Sequence, residues 1–174
     1  IRPETTSEVL SGLKPAFKAS GTVTAGTSSP LTDGAAAVLV TSEKYADENK
    51  LQPLARIKAI AVSGCAPEIM GIGPVLATKK VLKRANLDIS EIDIVELNEA
   101  FAAQSLAVIH ELGIESSKLN LDGGAIALGH PLGATGARIT GKAAQLMHRE
   151  NKKYALATQC IGGGQGISTI LEAL

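Results

Sequence analysis

A chain of 174 residues is the size of one domain, and 45% hydrophobic against 20% charged residues is an ordinary globular balance. Lys+Arg and Asp+Glu number 17 each and aromatic residues make up 2%, so neither a basic field nor a stacking platform points to nucleic acid, and no net charge draws the chain to a membrane. Two cysteines, Cys65 and Cys160, far apart and without a Cys-x-x-Cys pair, argue against a disulfide framework or a zinc site, and no apolar run reaches the roughly 18 residues of a membrane span.

Free thiols suit a reducing compartment, and no signal peptide is visible. Residue 1 is Ile, which reads as a processed product or a piece of something longer, so a missing address means little.

Residues 1–20 read as an arm: Thr6 and Ser7 before Glu8-Val9-Leu10 suit one short helical turn, and Pro3 and Pro15 break anything longer. Residues 21–34 are a Gly/Ser/Thr-rich loop whose start, Thr22-Val23-Thr24, suits a brief strand. Ala35 to Thr41 is a short continuous apolar run and predicts a strand buried on both faces. Ser42 is placed to cap a helix from Glu43 to about Asn49.

A second strand is expected over 54–63, ended by Gly64-Cys65-Ala66-Pro67, and a Gly-rich turn over 68–74. The helix predicted from Val75 to Ala85 has Ala77, Val81, Leu82 and Ala85 on one face and Lys79, Lys80, Lys83 and Arg84 toward solvent. Ile92 to Leu97 is another buried strand, and Asn98 opens a segment running to Leu112. That segment carries no charge from Ala100 to Ile109, and the glycine-rich stretch 121–138 carries none between Asp122 and Arg138. Helices apolar all round are enclosed on all sides. Two of them in so small a domain imply cover from outside this chain, either a partner half or a second subunit.

A helix from about Ala134 to Met147, a polar break, a strand from Tyr154 to Gln159, a glycine turn and a last strand from Ile167 complete the chain. The short gap between those last two strands suits antiparallel pairing. Strands alternating with helices argue a mostly parallel sheet with helices on both faces.

Three polar groups fall at the C-terminal ends of predicted strands or in the Gly-rich turn: Asn98, His130 and Cys160. Ligands of open α/β sheets bind at that edge. Pro131 biases His130 out of helix, and Gly133 and Gly136 lead into the helix that follows. The imidazole is thus presented from an irregular apolar turn, where it is costly without a partner or a task. A thiol near an imidazole can take or give a proton; an imidazole and a side-chain amide can hold an oxyanion. Singly, each has a plain structural reading: His130 bonded to a carbonyl, Asn98 a helix cap, Cys160 a small buried hydrophobe.

Other motifs carry less. Gly136 to Ala143 nearly fits a phosphate loop, but Ala143 stands where Ser or Thr would bind magnesium, and the segment looks like helix interior. GGGQG at 162–166 precedes a strand, against a dinucleotide fingerprint. His110 and His148 read as helix surface, and Cys65 as packing.

Asn98-Glu99-Ala100-Phe101, Gly129-His130-Pro131 and Cys160-Ile161-Gly162-Gly163-Gly164, in this order, resemble the three C-terminal active-site motifs of the thiolases. GTVTAGTSS at 21–29, LTDGAAA at 31–37, and Met70-Gly71 with Gly73-Pro74 match further stretches of that family. Arg2-Pro3-Glu4-Thr5-Thr6 and Glu96-Leu97-Asn98 resemble most the degradative 3-ketoacyl-CoA thiolases.

The resemblance implies an α/β fold, a thiolase-like three-layer α/β/α unit with a five-stranded mixed sheet and one antiparallel strand. Residues 21–174 would be the C-terminal thiolase domain, and the half carrying the family's nucleophilic Cys would be absent. His130 would activate that thiol and help bind the thioester oxygen, and Asn98 would hold a water completing the oxyanion hole. Cys160 would protonate the departing acetyl-CoA enolate and then deprotonate incoming coenzyme A. Gly162 would offer a backbone N–H, and Phe101, Met70 and Ala100 would line the acyl and pantetheine channel.

The resemblance implies no cofactor and no metal, with coenzyme A as substrate. Its partners would be acyl-CoA, the N-terminal half, a homodimer or tetramer, and a β-oxidation multienzyme partner. It implies a cytoplasmic bacterial protein, with mitochondrial and peroxisomal placement left open; the C-terminal Glu-Ala-Leu is not a peroxisomal tail. Rival readings are an acetoacetyl-CoA-forming acetyltransferase, a thioester- or lipid-binding relative without chemistry, a structural half serving a separate catalytic chain, and a ketoacyl synthase, which usually has His where Cys160 stands.

Overall fold

The computed structural model describes residues 1–174. Its helices and strands, in order, are α1 (Ser7–Ser11), α2 (Glu43–Glu48), β1 (Arg56–Gly64), α3 (Gly73–Ala85), β2 (Ile94–Leu97), α4 (Ala102–Leu112), α5 (Ala125–Leu128), α6 (Leu132–Arg149), β3 (Tyr154–Ile161) and β4 (Gln165–Glu172).

The caps read from the sequence are in place. Thr6 accepts from the Val9 N–H at the start of α1, and Ser42 from the Tyr45 N–H at the start of α2. Pro74 sits in the first turn of α3, where its missing N–H costs nothing. Asn86 and Gly113, both left-handed, close α3 and α4.

The sheet runs β1-β4-β3-β2, with β2 parallel to β3 and β4 antiparallel to both β3 and β1. The turn between Ile161 and Gln165 is short enough to return the chain beside β3, as expected. Strand alternation divides the core into two. Val95, Leu97, Leu156 and Ile170 pack with Val75, Val81 and Leu82 of α3 and Val108 and Leu112 of α4. On the other face Ile94, Ala155, Ala157 and Leu171 pack with Ile139, Ala143, Leu146 and Met147 of α6. The result is the three-layer α/β/α unit that the resemblance implied.

The sheet has four strands, not five. The expected first strand, Ala35–Thr41, is unpaired, and Leu39 and Val40 are 77% and 67% exposed. Thr22–Thr24 likewise forms no strand. Both sheet edges are already engaged. On β1, Lys80 and Arg84 of α3 donate to the carbonyls of Val62 and Ile60. On β2, the Asn120 N–H donates to the Val95 carbonyl, and the Asn120 amide bonds both backbone groups of Leu97. Residues 35–41 pair with neither edge of the sheet in this chain.

The charge-free helices are enclosed on one side only. Val108 and Leu112 are buried, whereas Leu106 is 65% and Leu132 73% exposed. Any cover for these faces lies outside this chain. No helix is long and apolar enough to cross a membrane.

Candidate functional site

The parallel strands β2 and β3 deliver the site. Asn98 follows directly on β2, and its N–H donates to the Thr158 carbonyl of β3, continuing the ladder one step past the strand. Its side chain is 1% exposed. By alternation it lies on the α6 side, with Ile94 and Glu96.

His130 stands between α5 and α6, where Gly129 takes φ +101°. A Cβ on Gly129 would meet the Thr32 side chain, and the Thr32 hydroxyl accepts the His130 N–H at 3.2 Å. The loop at 30–34 therefore clamps the turn: Thr32 on Gly129, and Pro131 against Gly34. The imidazole is brought to Asn98, with Nε2 3.3 Å from Nδ2, and its Nδ1 lies 2.7 Å from the Thr135 hydroxyl. Burial, and then the nearby Arg138 guanidinium, hold His130 below the usual imidazole pKa. The neutral ring, able to accept a proton, is the favoured form. Asn98 Oδ1 has no partner in the protein.

Cys160 lies within β3, one residue before its end, opposite Gly166 of β4. It shares parity with Leu156 and Thr158, which face α3. Burial raises its pKa, with the Cys65 thiol adding in the same direction, so the protonated thiol is favoured. The thiol makes no hydrogen bond to His130 or Asn98. Gly162 opens the β3–β4 turn in open space. Met70 lies in the 3-10 segment Pro67–Ile72 that leads into α3. Phe101 caps α4 and bridges to Ser28, and the buried Ala100 accepts from the Ser29 N–H.

The structure thus joins Asn98 directly to His130 and carries Cys160 to the same end of the sheet on its other side. The decoys fall away as expected. Gly136–Ala143 is interior to α6, the glycines at 162–164 precede β4, and His110 and His148 are exposed on helices. Cys65 sits just past β1, its thiol 3.8 Å from the Ile69 carbonyl. No cluster of His, Cys, Asp or Glu could hold a metal ion. A depression of about 510 Å³, lined by Asp93, Lys118, Arg149 and Lys152 among others, lies where β2 and β3 begin, the opposite end of the sheet.

Three supporting residues carry no role in the sequence reading. Thr135 backs His130. Glu99 accepts from the Asn120 amide at 2.7 Å and from the Ile126 N–H at 3.2 Å. Asn120 ties that turn to β2. A hydroxyl five residues after His130 was visible as a pattern, but a contact made across an irregular turn has no periodicity to reveal it.

Known proteins resemble this chain in sequence and in fold. The family model for the thiolase C-terminal domain matches residues 51–173, and that for the thiolase N-terminal domain matches residues 1–44. The 3-ketoacyl-CoA thiolases of Vibrio parahaemolyticus and Salmonella typhimurium are each 60% identical over 99% of this chain, which covers 45% and 46% of them. Human mitochondrial 3-ketoacyl-CoA thiolase, solved in complex with CoA, superposes with a TM-score of 0.97 at 52% identity, over 99% of this chain and 44% of its own. The Bacillus anthracis acetyl-CoA acetyltransferase gives 0.97 at 47%, with the same coverage. The chain spans about half the length of the curated relatives it matches, and with motifs, fold and both family models in agreement it belongs to the thiolase family.

Proposed function

We propose that this chain is the C-terminal part of a 3-ketoacyl-CoA thiolase, which moves an acyl group between 3-ketoacyl-CoA and coenzyme A and releases acetyl-CoA in fatty-acid β-oxidation. The observation that carries the reading is the Asn98–His130 pair at 3.3 Å on the sheet edge that also bears Cys160. The bacterial 3-ketoacyl-CoA thiolases and the CoA complex of the human enzyme support the substrate class.

In this reading a thiol from the preceding half gives its proton to His130 Nε2, and the thiolate attacks the 3-keto carbon. The new C–S bond places negative charge on the oxygen, held by the imidazolium N–H and by a water on Asn98. Collapse breaks the C2–C3 bond, and the acetyl-CoA enolate takes the Cys160 proton. The Cys160 thiolate then removes the proton of coenzyme A, whose sulfur attacks the acyl-enzyme and frees the nucleophile. A Cys160 pKa raised by burial suits the first half of that exchange: an acid must hold its proton until the enolate asks for it. Gly162 would supply a backbone N–H, and Met70, Ala100 and Phe101 the walls of the acyl and pantetheine channel. No cofactor or metal enters the scheme.

The nucleophile belongs to the preceding half. The two matched ranges part between residues 44 and 51. Ala35–Thr41, apolar and exposed here, would then be a strand whose ladder lies in that half, and the open sides of α4 and α6 would be covered by it or by a second subunit. Homodimeric or tetrameric assembly, a β-oxidation multienzyme partner and a cytoplasmic bacterial setting belong to the same proposal.

The test is thiolysis by the full-length protein carrying this chain, with coenzyme A and either acetoacetyl-CoA or a long 3-ketoacyl-CoA. Turnover of the long substrate, cut by about 10²–10⁴-fold or more in both His130→Ala and Cys160→Ala, is the expected result. Activity on acetoacetyl-CoA alone would move the assignment to the acetyltransferases, the alternative that the Bacillus anthracis structure favours. Absence of both activities would overturn it in favour of a binding protein.

A further inference from the structure

We propose that Thr135 is a positioning residue for His130, holding the imidazole as its Nδ1–H tautomer so that Nε2, facing Asn98, is the only ring atom that takes and returns a proton. The inference deepens the thiolase reading and rests on His130 being its base.

Thr135 is 0% exposed and sits in the second turn of α6. Its hydroxyl is 2.7 Å from His130 Nδ1 and donates to the Pro131 carbonyl, four residues back, at 3.1 Å. A hydroxyl has a single proton. Spent on Pro131, as threonines in helices commonly spend it, it leaves only lone pairs toward the imidazole, and Nδ1 must then carry a hydrogen. At the other side of the ring, Asn98 presents its Nδ2, which can only donate, to Nε2 at 3.3 Å. With the threonine proton on Pro131 and the Asn98 amide oriented with Nδ2 toward the ring, both contacts call for the same tautomer. The opposite one would set an Nε2–H against an N–H₂ group and require the threonine proton to abandon Pro131. It fits only if the Asn98 amide is also turned over.

The choice of a hydroxyl has a chemical consequence. A carboxylate behind the ring would stabilise imidazolium with a full charge; a hydroxyl orients the ring while leaving it a weak base. That agrees with burial and Arg138, which both oppose protonation. Once Nε2 has taken a proton, Nδ1–H stays on Thr135, and Nε2–H is left to donate to a developing oxyanion. Without an acceptor at Nδ1, the buried N–H would be orphaned, and the proton would move to Nε2, where it blocks the base.

The experiment is nitrogen NMR of the full-length protein labelled in its histidine rings, with His130→Asn identifying the resonances of His130. Nε2 couples to both ring C–H protons and Nδ1 strongly to one, so the bare nitrogen is identified directly. Wild type and Thr135→Ser should show bare Nε2, and Thr135→Val bare Nδ1. Thr135→Val should also lose about 10- to 100-fold in thiolysis kcat with little change in KM, and Thr135→Ser should restore it. Bare Nδ1 in the wild type would overturn the proposal, as would Thr135→Val keeping the wild-type tautomer. Should Thr135→Val fail to fold, the wild-type and Thr135→Ser spectra decide alone. A wild type with bare Nε2 but no thiolysis would sink the enzymatic reading and leave the tautomer assignment standing.

Discussion

The Asn120 side chain pairs with the backbone of Leu97 as a strand would. Its Oδ1 accepts the Leu97 N–H at 2.9 Å and its Nδ2 donates to the Leu97 carbonyl at 3.0 Å. A single amide thereby closes the outer edge of β2 one residue before Asn98. The same Nδ2 also reaches Glu99, so residues on both sides of Asn98 are tied to one point. Asn120 adopts φ +43°, a region asparagine tolerates better than most residues.

Asn120→Ala should destabilise the protein by about 2–4 kcal/mol in urea denaturation, because it leaves the buried Leu97 backbone groups without their side-chain partner and takes from the Glu99 carboxylate one of its two donors. Asn120→Asp keeps the acceptor for the Leu97 N–H but sets a carboxylate against the Leu97 carbonyl and Glu99, and should not rescue. A cost below about 0.5 kcal/mol for Asn120→Ala would show that the edge is held by other means.

Gly124 has no room for a side chain. A Cβ there would fall on the Glu99 carboxylate, which accepts from Asn120 and from the Ile126 N–H. Gly124→Ala should cost about 1–3 kcal/mol through displacement of that carboxylate. The loss should be strongly non-additive with Glu99→Ala, since the clash disappears with the carboxylate. Additive costs in a double-mutant cycle would refute this account.

Three buried hydroxyls cross the core. Ser168 on β4 bonds Thr78 of α3 at 2.9 Å and Thr158 of β3 at 2.7 Å, and Thr158 donates to the Ile167 carbonyl. All three are at most 1% exposed. Ser168→Ala strips a partner from both threonines and should cost about 1–3 kcal/mol. Thr78→Val in that background should restore part of it, because it removes one orphaned hydroxyl with little change of shape. If the double variant proves less stable than Ser168→Ala, the hydroxyl chain is not the source of the loss.

Glu96, 2% exposed on the α6 face of β2, has its pKa pushed up from 4.5 to about 7, chiefly by burial; Arg138 and Lys142 oppose that rise. The native state therefore holds this proton more tightly than the unfolded chain does. Its contribution to stability is complete below about pH 4.5, falls as pH rises and levels off above about 7, a loss of order 3 kcal/mol. Glu96→Gln should gain on wild type by that amount across the window in denaturation at successive pH values. His130, whose pKa is depressed, acts with the opposite sign, losing stability as pH falls, so the difference between the two proteins isolates Glu96. A pH-independent difference would disprove the assignment.

Much of this protein was written locally. Ser42 and Thr6 are caps because a hydroxyl before a helical run satisfies free N–H groups whatever lies beyond. The β3–β4 hairpin was readable because a short glycine turn leaves the chain nowhere else to go. Asn98, His130 and Cys160 could be nominated because polar groups at strand ends and glycine turns share one edge of an α/β sheet. Ala35–Thr41 shows where such reasoning stops. Its composition is that of a buried strand, yet burial and pairing depend on a neighbour, and this chain brings no strand alongside it. Only the tertiary structure set His130 between Asn98 and Thr135, because those contacts join residues 32 and 5 positions away through a turn with no repeating geometry. Residue types and their order were enough for the family. Which nitrogen of His130 carries the proton depends on what the folded chain places on either side of the ring.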